Sequence, residues 1–367
     1  MIKYAEYVVG GFVRDTILKS GGGYSYRPKD IDYVVTGSSI NDMVDRFGPT
    51  IGADFPVWLD SDGNEWALAR IERSIGDGYG DFTCDVQNVS IEDDLRRRDF
   101  TINAMAVEKG SEWTLGFCDT FPDDSTNLID PFGGLKDLKN KVIRHVSDAF
   151  AEDPLRVLRC ARFAARYYHL GFTVAPETKE LCRQMVRDGM LHKVSSERIW
   201  VETEKALDAN DPIVYFDLLA EFGFIPELGV WDRIHAIHAS KTYRGHKQVF
   251  MASLEFVELL QFLNAPKKYI SVAKKTIVLD ELMSDGFVST DSGTWYRVLR
   301  SIGLWGNAHD ELDMALSACR VPLITAFAKR VKTDTLGIKL DVEPGPEYGH
   351  ALAEARIRII EGLLKNY

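Results

Sequence analysis

Over the first 145 residues the apolar positions come in short runs separated by turn formers. Val8-Val9, Asp32–Val35, Phe55–Leu59, Trp66–Ile71 and Ile102–Val107 are β-branched or alternating stretches, and each predicts a strand. Gly21-Gly22-Gly23 and Asp60–Asn64 read as turns. Residues 73–90, with Gly76, Gly78 and Gly80, read as a mobile loop. A helix is predicted after Gly11, with Val13, Ile17 and Leu18 on its apolar side.

From Ser147 the pattern becomes helical. Leu155, Leu158, Ala161 and Ala165 recur at three- and four-residue spacing, and so do Arg156, Arg159, Arg162 and Arg166. This predicts a helix with one core face and one arginine face, with Ser147 or Asp148 as a cap. Further helices are predicted at about 177–188, 195–208 and 212–222, and residues 230–367 read as mostly helical without repeats. The chain is therefore α+β, a strand-rich head followed by an all-α remainder.

Composition narrows the class. A chain of 367 residues has room for two or three domains and a large core. Its net charge of −11 argues against a wholly basic surface, though a local basic groove fits an acidic protein. The five cysteines (Cys84, Cys118, Cys160, Cys182, Cys319) are scattered and show neither CxxC nor Cys/His metal spacing. That speaks against zinc and against a disulfide framework. Residues Met1–Glu6 do not read as a signal peptide, and no apolar run reaches the ~18 residues of a membrane span. A cytoplasmic protein is expected.

The chemistry concentrates in three places. Asp30-Ile31-Asp32 sits in an apolar run, where strand alternation aims both carboxylates one way, about 6–7 Å apart. Such a pair suits Mg²⁺, which takes oxygen ligands and leaves room for phosphates; the plain alternative is a pair capping a turn. Upstream, Gly10-Gly11 lets backbone approach an anion that Arg14 can grip. Next, Arg96-Arg97-Arg98-Asp99 runs into the apolar stretch from Phe100. It is either a solvated charge run or a site in which Arg98 holds triphosphate and Asp99 or Asn103 binds ribose hydroxyls. Third, Asp153 and Arg156 stand three apart at the head of the arginine-faced helix. A carboxylate beside a guanidinium matches cytosine and adenine, which both present an amine next to a ring acceptor, and mismatches guanine and uracil. The plain alternative for this helix is a wet basic face.

These stretches, in order, resemble one family. Val9-Gly10-Gly11-Phe12-Val13-Arg14-Asp15, Lys29-Asp30-Ile31-Asp32, Arg96–Ala104, Asp130-Pro131-Phe132-Gly133-Gly134 with Asp137-Leu138, Glu152–Arg159 and Ser195–Trp200 are similar to motifs of the class II tRNA nucleotidyltransferases. These are the bacterial-type CCA-adding enzymes, whose superfamily also holds bacterial poly(A) polymerases. The resemblance covers residues 5–228. It implies a polymerase-β-like nucleotidyltransferase head with a mixed sheet over residues 1–145, neck helices over 146–190, body helices over 191–229 and a helical tail over 230–367. It implies that Asp30 and Asp32 are catalytic and ligate two Mg²⁺ ions. It further implies that Gly11, Arg14 and Arg98 contact the triphosphate, and that Asp153 and Arg156 select CTP and then ATP, with Arg159 and Arg162 completing the pocket. The expected substrate is the tRNA 3′ end, with no membrane and no protein partner, and loop 73–90 matches the family's flexible loop.

Many relatives carry a C-terminal HD phosphohydrolase domain. Here His309-Asp310 stands far from His235, His238 and His246, and no HD activity is expected. Lys241, Arg244 and Lys247 form a basic cluster that could contact tRNA backbone. The expected activity is full CCA addition. The alternatives are A-only or CC-only addition, poly(A) synthesis, and an inactive RNA-binding module on the same scaffold.

Overall fold

The computed structural model describes residues 2–20, 31–51, 56–74, 82–111, 127–225, 254–284, 291–306, 312, 315–316 and 322–365. The chain divides into two compact units, Met1–Arg198 with Ala209–Pro226, and Ile199–Asp208 with Glu227–Tyr367.

The first unit carries eight strands that concern the site: β1 (Ala5–Val9), β2 (Asp32–Thr36), β3 (Val57–Leu59), β4 (Glu65–Leu68), β5 (Ile71–Ser74), β6 (Phe82–Asp85), β7 (Ala106–Glu108) and β8 (Leu128–Ile129). Six of them form a mixed sheet in the order β3-β4-β2-β1-β7-β8, and β5 pairs with β6 as a separate ribbon. Within the six, β2 and β4 run parallel and all other neighbours antiparallel. Side chains alternate between the two faces. Val9, Val34 and Ala106 pack on Ile91 and Leu95, while Val35, Trp58, Trp66 and Leu68 pack on Met43. Met43 belongs to the second helix. The first three helices are α1 (Gly11–Ser20), α2 (Ile40–Phe47) and α3 (Ile91–Arg96). α2 and α3 each open on a capping box, Ser39 with Asp42 and Ser90 with Asp93. α1 buries Val13, Ile17 and Leu18, as its spacing predicts.

Two predicted strands are corrected. Ile102–Val107 is not one strand, because Thr101–Asn103 is a 3-10 turn and pairing resumes only at Ala106. The Asp99 carboxylate accepts from Phe100 N at 2.8 Å and from Asn103 Nδ2 at 2.9 Å, and such local bonds compete with a ladder. The next helix, α4 (Gly134–Asn140), holds the turn from outside. A Cβ at Gly134 would collide with the Thr101 carbonyl, and Asp137 accepts from Thr101 Oγ1 at 2.7 Å. Asp130 caps α4 by accepting from Gly134 N and Leu135 N at 2.6 and 2.8 Å. Trp66–Ile71 likewise splits into β4 and β5, and at the break Arg70 N donates to Asp94 Oδ1 at 3.3 Å.

The predicted cap at Ser147 or Asp148 is also corrected. Asp148–Glu152 is a short 3-10 turn, and the helix itself, α5 (Leu155–Tyr167), starts later. Pro154 pushes the residue before it out of helical geometry, and Asp153 is extended at φ −117° and ψ 101°. α6 (Pro176–Arg187), α7 (Ser196–Leu207) and α8 (Ile213–Glu221) lie where the periodicity predicts them, and α5 packs on α8.

The second unit is helical in its described residues beyond 253. α9 (Leu254–Phe262), α10 (Lys267–Ser284), α11 (Ser292–Ser301), α12 (Pro322–Asp334) and α13 (Pro346–Leu364) supply a core that includes Trp295, Leu299, Phe327, Val331 and Ile360. Among the described residues no helix is long and apolar enough to cross a membrane.

Candidate active site

Strand register brings the glycine turn, Asp32 and the segment after Asn103 to one end of the sheet. Val9, the last residue of β1, pairs with Asp32, the first of β2, and with Ala106 of β7. The Gly10-Gly11 turn therefore lies beside exposed Asp32 and the segment after Asn103. Gly10 holds φ +67°, and its amide donates to Met105 O at 3.1 Å. A Cβ on Gly10 would stand 2.9 Å from Arg98 Nη1, and one on Gly11 would stand 3.5 Å from Arg14 Nη2. Two guanidinium groups thus lie against this turn because it has no side chains. Asp30, residues 75–81, His235, His238, Lys241, Arg244, His246, Lys247 and His309-Asp310 lie outside the described residues. The predicted loop 73–90 is corrected in its described parts, because Arg73-Ser74 end β5 and Phe82–Asp85 form β6, paired antiparallel.

Each arginine at the turn is held from behind. Arg98 donates to Asp94 Oδ2 through Nε at 3.3 Å and Nη2 at 3.0 Å, and Arg97 Nη2 donates to the other oxygen at 2.5 Å. Asp94 is fully buried. Burial alone would raise its carboxyl, but Arg97 and Arg98 outweigh it and hold it below the usual range. The run Arg96–Arg98 is therefore not a solvated face as a whole. Arg96 is exposed, and the other two fold onto one buried acid.

Arg14 is 4% exposed and donates through Nε to Asp15 Oδ1 at 2.8 Å and through Nη1 to Asn103 Oδ1. Asn103 in turn donates to Asp99, and Asp99 Oδ2 accepts from Arg159 Nε and Nη2 at 2.8 and 2.6 Å. An unbroken chain of polar contacts runs Arg14, Asn103, Asp99, Arg159. Burial pushes the Asp99 carboxyl up, but Arg159, Asn103 and Arg156 together bring it down to about 2. Both Asp99 and Asn103 are buried and turned onto arginines.

The arginine side of α5 is not a wet face. Arg156 and Arg162 are only 9% and 8% exposed. Arg156 donates to Ala149 O at 2.6 Å and to Arg97 O at 2.5 Å, and Arg162 lies over the Phe163 ring at 4.4 Å. Asp153 and Arg156 do not share a helical face, because Asp153 precedes the helix. Its carboxylate caps the helix, accepting from Leu155 N at 3.1 Å, and Arg198 Nη2 stands 3.4 Å away. Arg156 N donates to Asp153 O at 2.9 Å, so the two remain adjacent.

Three neighbours escaped the sequence reading. Asp94 looked like one acid among several and Asp15 like the tail of a motif, and Tyr167 was not singled out at all. Only the four-residue step from Phe163 to Tyr167 hinted at an aromatic pair, and those rings are stacked at 6.0 Å.

The geometry has counterparts in known proteins. Residues 6–144 match the family described as "Poly A polymerase head domain", and residues 171–229 match "Probable RNA and SrmB- binding site of polymerase A". A multifunctional CCA protein of Pseudoalteromonas atlantica is 50% identical over 228 residues, covering 61% of this chain and 50% of that protein. The chain thus spans half the length of that curated relative. A solved CCA-adding enzyme in its second apo form shares the fold with a TM-score of 0.66 at 23% identity, over 97% of this chain and 88% of the other. The Bacillus stearothermophilus CCA-adding enzyme in complex with CTP gives 0.63 at 24% identity, over 98% and 89%. A tRNA-processing enzyme complex gives 0.59 at 26% identity, over 97% of both chains. Head and RNA-binding segments are thus matched in order along the chain, each to a poly(A) polymerase family model.

Proposed function

We propose that this protein adds C, C and A to the 3′ end of tRNA from CTP and ATP, without a nucleic-acid template, releasing pyrophosphate at each step. One observation carries the reading: Asp32, the Gly10-Gly11 turn, Arg14 and Arg98 meet at one end of the sheet. A carboxylate for a cation and two guanidinium groups on a bare turn are what a nucleoside triphosphate needs.

In the reaction the tRNA 3′-oxygen attacks the α-phosphorus. The new P–O bond forms as the bond to pyrophosphate breaks, and the hydroxyl proton passes to solvent. Arg14 and Arg98 hold the phosphates that depart. Their anchors Asn103 and Asp94 fix them before substrate arrives, so little reorganisation accompanies the transfer. Asp153 accepts the exocyclic amine of cytosine or adenine and Arg156 donates to the ring acceptor beside it. Arg159 and Arg162 line the same helix.

Among the described residues no cluster of three or more His, Cys, Asp or Glu could hold a metal. A site of one or two carboxylates completed by substrate phosphates is the arrangement Mg²⁺ favours; exposed Asp32 fits it, and Asp30, two positions earlier in the sequence, would be the second ligand. Mg²⁺ bound there supplies positive charge to the attacking and departing oxygens.

The test is an extension assay on a tRNA ending at the discriminator base, with Mg²⁺ and CTP, ATP, both, or UTP and GTP. Two residues from CTP and a third only with ATP is the expected result. Long A tails would make the protein a poly(A) polymerase, and one A added only to a CC-ended tRNA an A-adding enzyme. No extension of any substrate would leave an RNA-binding module.

A further inference from the structure

The strongest unassigned group in the first unit is Asp15. It is 2% exposed, and three side chains converge on its carboxylate. Arg14 Nε donates to Oδ1 at 2.8 Å, Tyr167 Oη donates to the same oxygen at 3.0 Å, and Arg166 Nη2 donates to Oδ2 at 3.1 Å. The last two belong to the far end of α5, more than 150 positions along the chain from Asp15. The Arg14 guanidinium also lies 5.2 Å from the Phe163 ring centre and 5.4 Å from that of Tyr167.

We propose that Asp15 is the positioning residue for Arg14, and that Tyr167 and Arg166 set it. The inference rests on the function proposed above and concerns how the triphosphate is gripped. A single anchor leaves a long guanidinium free to swing about its Cα. Arg14 has two anchors at right places: Asp15 takes Nε and Asn103 takes Nη1, and the Nη2 edge lies against Gly11. Both anchors lead into α5, one through Arg159 and the other through Tyr167 and Arg166. The helix that carries Arg156 and Arg159 therefore sets the angle of the phosphate-gripping arginine from both ends.

Tyr167→Phe is the informative variant, because it deletes one hydroxyl and keeps the ring contacts. Its KM for CTP and for ATP should rise about three- to tenfold, because the lost hydroxyl acts on the nucleotide only through Asp15 and Arg14. kcat and the KM for tRNA should stay within about twofold. Asp15→Asn should act in the same direction and more strongly. Tripolyphosphate, titrated calorimetrically, should lose affinity by the same factor. In an Arg14→Ala background Tyr167→Phe should then change tripolyphosphate binding no further. Equal effects of Tyr167→Phe with and without Arg14, or a lowered melting temperature with unchanged nucleotide KM, would overturn the assignment and leave Asp15 a packing group. If the unaltered protein neither extends tRNA nor binds tripolyphosphate, the functional reading itself fails, an outcome distinct from either.

Discussion

Arg159 places two of its nitrogens on a single oxygen of Asp99, at 2.8 and 2.6 Å, and so ties the second half of the first unit to the turn that carries Asn103. The pair is the middle of the chain of contacts that ends on Arg14. Its titration has a direction that can be checked. The Asp99 carboxyl lies at about 2 when folded against an ordinary 3.8. A lowered folded value means stability that is complete above about pH 4 and disappears as the pH falls through 2. The contribution is on the order of 2 kcal/mol. Thermal melts of the unaltered protein and of Arg159→Gln, compared from pH 6 to 2, should show a gap that is constant near neutrality and closes in acid. A gap that does not change with pH would remove the ion pair as its cause.

Gly10 is the position at which one methyl group should do most harm. Its φ of +67° disfavours any other residue, and the added carbon would stand 2.9 Å from Arg98 Nη1. Gly10→Ala should cost about 1 kcal/mol in backbone strain. It should also displace Arg98 and raise the nucleotide KM by at least about tenfold, measured in the extension assay. Wild-type KM in a folded Gly10→Ala protein would mean that Arg98 does not reach the substrate.

Asp32→Asn should abolish nucleotide transfer with the melting temperature almost unchanged, since Asp32 is exposed at the start of its strand. tRNA binding, followed by gel shift, should persist. Transfer by that variant at more than a hundredth of the normal rate would argue against a carboxylate-held cation at this position.

Asp153→Ala should act on choice rather than on rate alone. The variant should incorporate UTP or GTP at a detectable fraction of its CTP incorporation. It should also lose about 1 kcal/mol of stability, because the same carboxylate caps α5. Unchanged discrimination in a destabilised protein would leave Asp153 as a cap only.

Much of this arrangement was legible in the order of residues. The apolar runs around Val8-Val9 and Val34-Val35 placed β1 and β2, and the glycine pair after Val9 marked a close backbone approach, while its place beside Asp32 came only from the strand register. The helices α6, α7 and α8 followed from spacing, whereas beyond residue 230 only a helical character was legible. What could not be read was which acid each arginine would choose. Arg159 and Arg166 look alike in the stripe, yet one meets Asp99 and the other Asp15, from different stretches of the chain. Periodicity carries the direction of a side chain but not the identity of what arrives opposite it. The same limit explains the segment from Ile102, where apolar content suggested a strand. There Asp99 and Asn103 bond across the turn, and Gly134 admits a helix end against Thr101.

Arg156 grips two peptide carbonyls, those of Arg97 and Ala149, rather than any side chain. A hold on main chain is blind to mutation at the positions gripped. Substitutions at 97 or 149 that keep the backbone path leave both hydrogen bonds in place. Over generations of drift the surroundings of this guanidinium can therefore change in composition while its bearing stays the same, and only a change at residue 156 itself, or in the course of the backbone, undoes it.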